Sequence, residues 1–291
     1  MAPRLSVVVA GSRPAGPPES LFRVLHALLD AGAAELLIAT ARPRSEISSP
    51  NTRIVSCPPG TTLPALRLAG VRAAAAPLIA LTEDFCAPAD GWAEALLDAR
   101  ARVPALAIGG PIARRGGRAA DWALTFVEYG RFFGREPEGD VFDLPAVNVA
   151  YDAGRLLEAI PPDATGLFEV QVHPRLRARG GRFWRVPAAV MFDENRVPLS
   201  SAVRAQYHHG RIFGAGRVEG RGALPRVVRG ALAAAVPAVL LNRIAREVMS
   251  AGSGREMLRA LPALSVMLGG WALGEAAGSL FGEGRSGTYW T

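Results

Sequence analysis

The sequence predicts an α/β fold: a doubly wound sheet forming the main body, followed by a helical C-terminal appendage. Short β-branched runs alternate with amphipathic segments through the first hundred residues at the spacing of βαβ units. The length, 291 residues, is about twice the ~150 residues that serve as a prior for one domain. The net charge of +7 is local, because residues 200–260 carry ten Arg against three acids while the rest is near neutral. A basic surface over the whole fold would suggest nucleic acid. A neutral body with one basic segment points instead to a local anionic partner, most simply a membrane surface.

Elements follow in order. Leu5 to Ala10 reads as a buried strand, since its apolar run is too short and too soon broken by Gly-Ser-Arg-Pro for a secretory signal. Glu19 to Ala31 places Leu21, Leu25, Leu28 and Leu29 on one helical face and stops at Gly32. Strands are expected at Glu35 to Thr40, Arg53 to Ser56 and Leu78 to Thr82. Helices are expected at Thr62 to Ala75 and at Asp90 to Arg102, with Asp90 as N-cap.

The pattern then loosens. Leu106 to Ile112, Leu144 to Tyr151 and Arg182 to Phe192 are strand candidates. Asp121 to Phe133 and Leu167 to Arg179 are helix candidates, and Gly134 to Asp143 is an acidic loop expected to be mobile. Parallel strands followed by mixed pairing suggest a doubly wound half joined to an acceptor-side half.

From Gly222 the character changes. Val227 to Asn242 contains a charge-free run of about a dozen residues, short of the ~20 needed to span a bilayer. Arg226, Arg229, Arg243 and Arg246 fall within about half a helical circumference, the layout of a helix lying among headgroups, with Pro237 expected to kink it. Ala260 to Gly282 is long enough to span, interrupted by Glu275. Its Gly270, Gly274, Gly278 and Gly282 line one face and permit close helix packing. A pair of soluble helices packed on the body is the other reading. The expected domains are residues 1–217 and 218–291.

Two cysteines, Cys57 and Cys86, provide neither a disulfide framework nor a zinc pattern, which fits a reducing compartment. Gly11 to Gly16 has the glycine spacing of a P-loop but lacks the Lys and Ser/Thr that would reach phosphate and metal. GxGxxG after the first strand, GxSxG and HExxH are missing too, so kinase, dehydrogenase, serine hydrolase and zincin readings have no support. What remains is Glu83-Asp84 at a strand end, where ligands of open α/β sheets bind and where carboxylates can hold a divalent cation against a diphosphate.

That pair lies in "LPALRLAGVRAAAAPLIALTEDFCAPADGW", which resembles the acidic-motif unit of the family 2 glycosyltransferases, nucleotide-sugar enzymes of the GT-A fold. "IGGPI" at 108–112, "LPAVNVAYDAGRL" at 144–156 and "GLFEVQVHPRLRARGGRFWRVPAAVMF" at 166–192 resemble the succeeding blocks in the same order. "LPALSVMLGGWALGEAAGSLFG" is similar to a membrane-proximal tail. The resemblance covers residues 4–217 and that tail.

The resemblance implies a GT-A-like doubly wound mixed sheet with a helical, membrane-associated appendage. Glu83 and Asp84 match metal-holding and donor-binding acids, with Mg²⁺ or Mn²⁺ as cofactor; Asp193 stands where a His is common, as a substitute oxygen ligand or as the cap of a turn. Glu169 matches the general base. Asn148 matches a position near the sugar, and Arg211, beside His208 and His209, is a donor-diphosphate candidate. The implied activity is an inverting, non-processive transfer from a nucleotide-diphosphate sugar to a glycan or lipid-linked acceptor. Its place is the cytoplasmic face of the membrane, in cell-envelope polysaccharide synthesis, with membrane contact through residues 222–282 and no nucleic-acid partner.

Departures from the pattern are visible. Phe85 stands at the third acidic position, Ala39-Thr40-Ala41 replaces an acidic pair after the second strand, and QxxRW is not met after Gln206. They motivate the alternative of a GT-A domain that binds glycan or partner proteins without turnover. Trp92 and Trp184 read as core, His173 as a surface helix residue, and Cys86 as a small buried residue.

Overall fold

The computed structural model describes residues 2–11, 13, 16–42, 49–134 and 136–289. Ser12, Pro14 and Ala15, within the expected Gly11 to Gly16 loop, lie outside the described residues. The strands are β1 (Leu5–Ala10), β2 (Ala34–Thr40), β3 (Thr52–Ser56), β4 (Leu78–Glu83), β5 (Cys86–Pro88) and β6 (Ala107–Gly109). They continue with β7 (Ile112–Ala113), β8 (Gly139–Asp140), β9 (Val149–Asp152), β10 (Phe183–Arg185) and β11 (Met191–Asp193). The helices are α1 (Glu19–Asp30), α2 (Leu63–Ala73), α3 (Trp92–Arg102), α4 (Ala119–Tyr129) and α5 (Ala153–Ala159). They continue with α6 (Glu169–Ala178), α7 (Leu199–Arg217), α8 (Ala223–Leu232), α9 (Val236–Ser250) and α10 (Gly254–Phe281).

The chain divides into two compact units. The first takes Met1–Ala113 and Arg135–Glu194, and the second takes Arg114–Gly134 and Asn195–Thr291. In the first, an eight-stranded mixed sheet runs β3-β2-β1-β4-β9-β6-β10-β8. β1 pairs in parallel with β2 and β4, and β2 with β3, whereas β9 is antiparallel to both β4 and β6. Every residue of β1, β2 and β4 is buried, as apolar runs in a sheet covered on both faces must be. α1 buries Leu21, Leu25 and Leu29, the stripe expected from its periodicity.

Three expected strands come out shorter, and each break has a local cause. Leu106 to Ile112 becomes β6 and β7 in different sheets, because Pro111 cannot donate to a ladder and Gly110 lies tight against the Ala189 backbone. Arg182 to Phe192 likewise becomes β10 and β11, with Pro187 between them. Of Leu144 to Tyr151 only the end pairs, since Asn148 N–H closes a turn on the Pro145 carbonyl. β5, β11 and β7 make a second, three-stranded sheet. Asp90 is not the cap of α3: Gly91 at φ +76° takes that position, and Asp90 pairs with Arg23 at 2.6 Å.

In the second unit α10 is the central helix. Met257, Ala260, Leu264, Met267 and Leu268 share a core with Phe126 of α4, Ala202 of α7 and Ile244 and Val248 of α9. Gly270, Gly274 and Gly278 of α10 face Val203, Tyr207 and Arg211 of α7, so the two helices run parallel. Gly210 and Gly214 of α7 lie as tightly on Trp271 and Glu275. Gly282, the fourth of the series, ends the helix at φ +77°. The unit boundary therefore differs from the expected 217/218, because α7 is locked along its length to α10. Pro237 sits in the first turn of α9, after a 3₁₀ turn at Ala233–Ala235 that separates α8 from α9. Ala223–Ser250 and Gly254–Phe281 are each long and apolar enough to cross a membrane by length and composition.

Candidate functional site

In the first unit Glu83 ends β4 and Asp84 follows it, beside the loop that leaves β1. Asp84, directly after β4, accepts the backbone N–H of Arg13 at 2.6 Å, which pins the loop leaving β1. Gly11 is needed for that approach, since a Cβ there would overlap the Asp84 carboxyl. The Arg13 guanidinium lies 5.2 Å above the Phe85 ring, with Nε 4.0 Å from Asp84 Oδ1. Arg13, Gly16, Phe22, Asp84, Phe85 and Glu194 line a cleft of about 540 Å³, where ligands of open α/β sheets bind.

One strand position earlier, the chain does something different. Glu83 is buried and paired with Arg67 of α2, whose other nitrogen reaches Glu169 at the start of α6 at 2.6 Å. Arg67 thus bridges a strand-end acid and the candidate base, and its own side chain is 10% exposed. Burial pushes the Glu83 carboxyl above its ordinary range, against the pull of the Arg67 charge. No sequence motif marks Arg67, though its position carries a signal: it stands three and four residues from the buried Pro64, Gly70 and Val71, on the apolar stripe of its helix.

A second polar chain lies in the same unit. Tyr151 Oη bonds His173 Nε2 at 2.6 Å, and His173 Nδ1 bonds Asp143. His173 is therefore a buried residue and not a surface one, because α6 turns it onto β9 and the edge of Phe183. Burial drives the Tyr151 hydroxyl well above its usual range, with the Glu169 charge adding to the effect.

Other predicted residues go elsewhere. Asn148 is fully buried, accepts Trp92 Nε1 at 2.8 Å and donates to the Pro111 and Ala189 carbonyls at 3.1 and 2.7 Å. It ties the two sheets together instead of facing a ligand. Trp92 is core, as expected, whereas Trp184 is half-buried and donates to Glu138. Arg211 belongs to the second unit, where its Nε donates to the Gly282 carbonyl at 3.0 Å. His208 of that unit stacks on Tyr289 at 4.0 Å. Cys86 is buried, and burial pushes its thiol well up.

Among the described residues the acids expected to hold a divalent cation have protein partners. A hard cation needs several oxygens free to converge, yet Glu83 is committed to Arg67, Asp84 to the Arg13 backbone, and Phe85 offers no oxygen. Asp193 is buried in β11 opposite Cys86. Among the described residues no three His, Cys, Asp or Glu side chains gather as a metal group. Glu83, Asp84 and Asp193 are thus not brought together as the ligand set expected from sequence.

No protein-family model matches the chain, and no curated protein sequence matches it. Solved structures do. The mannosyltransferase PcManGT from Pyrobaculum calidifontis, in complex with GDP-Man and Mn²⁺, is similar over 97% of this chain and 88% of its own. The identity is 13% and the TM-score 0.50. The fold is GT-A-like. GalNAc-T7 with UDP, GalNAc and Mn²⁺ is similar over 67% of this chain at 14% identity and a TM-score of 0.49. This chain spans 44% of that protein's length.

Proposed function

We propose that this chain is an inverting, non-processive glycosyltransferase that moves a sugar from a nucleoside-diphosphate donor to a hydroxyl of a glycan or lipid-linked acceptor at the cytoplasmic face of a membrane. The observation that carries this reading is the cleft of Arg13, Asp84 and Phe85 at the carboxyl ends of β1 and β4 in a GT-A-like sheet. Fold alone would not suffice, since one fold hosts many functions. The ordered sequence blocks and the placement of Glu169 at the head of α6, its side chain 17% exposed, support the same reading.

In the proposed step the acceptor hydroxyl oxygen attacks the anomeric carbon, and the carbon–oxygen bond to the diphosphate breaks with its electron pair leaving on the diphosphate. The hydroxyl proton passes to the Glu169 carboxylate, which Arg67 orients. One displacement inverts configuration. Arg13, 35% exposed on the cleft, is the cation placed to meet the departing diphosphate. The second unit, with its Arg-rich and apolar helices, supplies membrane contact in this reading.

A thermal-shift panel of UDP-, GDP- and dTDP-sugars tests donor binding, with membrane extract as acceptor source for transfer. At least one donor raises Tm, Asp84→Ala removes the shift, and Glu169→Gln abolishes transfer. No shift and no turnover across the panel sinks the proposal. Donor binding without Glu169-dependent turnover would favour the non-catalytic alternative, which the commitment of Glu83 to Arg67 supports.

A further inference from the structure

The second unit contains two helical stretches with the length and apolarity of a membrane span, and they are not equivalent. Of the most apolar part of Ala223–Ser250 only 6% is buried, against 50% for Gly254–Phe281. The most apolar part of the first is an uncovered apolar surface, while Ile244 and Val248 at its far end pack on α10, the core of the unit. We infer that Ala223–Ser250 lies in the plane of an anionic lipid surface, and that α10, although long enough to span, does not enter the bilayer as a spanning helix. The inference rests on the membrane-associated part of the proposed function and is independent of its chemistry.

The case for α10 staying out begins with its glycines. A Cβ on Gly274 or Gly278 would overlap the carbonyl oxygens of Tyr207 or Arg211, so α7 is in backbone contact with this half of α10. α7 carries Arg204, Arg211 and Arg217, and α10 carries Glu275, which is 3% exposed, 3.7 Å from Arg217 and hydrogen-bonded by Trp271 Nε1 at 3.1 Å. The N-terminal half of α10 is sheathed by α4 and α9 through Leu264, Met267 and Leu268. If α10 spanned, the polar helix fastened to it would follow. Arg211, in the middle of α7, would be carried toward the bilayer centre, where an Arg is penalised, and the Arg217–Glu275 pair would enter with it.

The case for Ala223–Ser250 lying on lipid rests on what it exposes. Leu224 is 75% exposed, Val227 56%, Leu232 54% and Val239 64%, side chains that water does not favour. Monomeric soluble proteins rarely leave contiguous apolar patches larger than a few hundred Å² uncovered. Arg226 and Arg229 stand on one side of the charge-free run and Arg243 and Arg246 on the other. From Arg229 to Arg243 is fourteen residues, roughly 21 Å at 1.5 Å each, short of the ~30 Å hydrocarbon core. Cations at both ends of so short a charge-free run, within a stretch otherwise long enough to span, suit a helix parallel to the surface, guanidiniums on lipid phosphates and apolar side chains among the acyl chains.

The test uses the full chain and two vesicle types, phosphatidylcholine alone and phosphatidylcholine with phosphatidylglycerol. Flotation with the anionic vesicles is expected, with release by high salt or alkaline carbonate. Arg226, Arg229, Arg243 and Arg246 each changed to Gln should weaken the partition about fivefold apiece, the equivalent of ~1 kcal/mol per basic residue at an anionic leaflet. Leu232→Asp with Val239→Asp should weaken it at least as much, with Tm unchanged because both side chains are exposed. Retention after carbonate would mean a spanning helix and overturn the inference. So would equal binding to both vesicle types, or binding to neither with a dimer in solution that Leu232→Asp and Val239→Asp dissolve.

Discussion

Replacing Arg67 by Met tests the buried bridge most directly. The guanidinium, 10% exposed, joins Glu83 at 4% and Glu169 at 17% exposure, so its removal strands one carboxylate in the interior and leaves the other without its partner. Removing one partner of a buried pair costs about 3–5 kcal/mol, whereas an exposed pair is worth about 0–1. Glu83 sets the larger part, because water reaches Glu169 and screens it. We expect Arg67→Met to lose about 3–5 kcal/mol in urea unfolding followed by tryptophan fluorescence. Arg67→Met with Glu83→Gln should recover most of it, since the stranded charge is then gone.

The pH dependence carries a sign. Burial raises the Glu83 pKa in the folded protein, so the folded state holds its proton more tightly and the group's stabilising contribution falls as pH rises above the unfolded value of about 4.3. Without Arg67 that interval widens upward, so the deficit of Arg67→Met relative to the parent should be smaller at about pH 5 than at about pH 8. A loss under about 1 kcal/mol with no such difference would refute the buried bridge.

Three further outcomes are expected. Gly274→Ala and Gly278→Ala place a methyl into facing backbone of α7 and should each cost about 1–3 kcal/mol or more in thermal unfolding. Gly269→Ala, with open space around it, should stabilise by about 0.5–1 kcal/mol through helix propensity, and equal effects at all three would break the close-packing argument. Asn148→Asp keeps the shape but cannot donate to the Pro111 and Ala189 carbonyls, so it should destabilise by about 2 kcal/mol or more. An unchanged unfolding midpoint would return Asn148 to the list of ligand contacts. Mn²⁺ alone, followed by its electron paramagnetic resonance signal, should stay free in the presence of the protein, and uptake that Asp84→Asn abolishes would show that the acids do assemble around a cation.

Periodicity settled what depends on neighbours in the chain: β1, α1, β2, β3, α2 and β4 emerge within a residue or two of where apolar spacing puts them. It also localised the charge and marked the glycine face of α10. Tertiary structure decided what depends on distant partners. The break of Leu106 to Ile112 at Pro111 is legible locally, but the close approach of the Ala189 backbone to Gly110 comes from a segment distant in the chain. Glu83 looks like any strand-end acid until Arg67 is found on it, and His173 looks exposed until α6 docks. The spacing of the α10 glycines marks a close-packing face without naming its partner, and the fold names that partner as α7, with glycines of its own. Spacing along a helix or strand is a one-dimensional property that sequence states outright. Which acid meets a cation, and which apolar face stays uncovered, depends on long-range contacts that exist only once the chain has closed on itself.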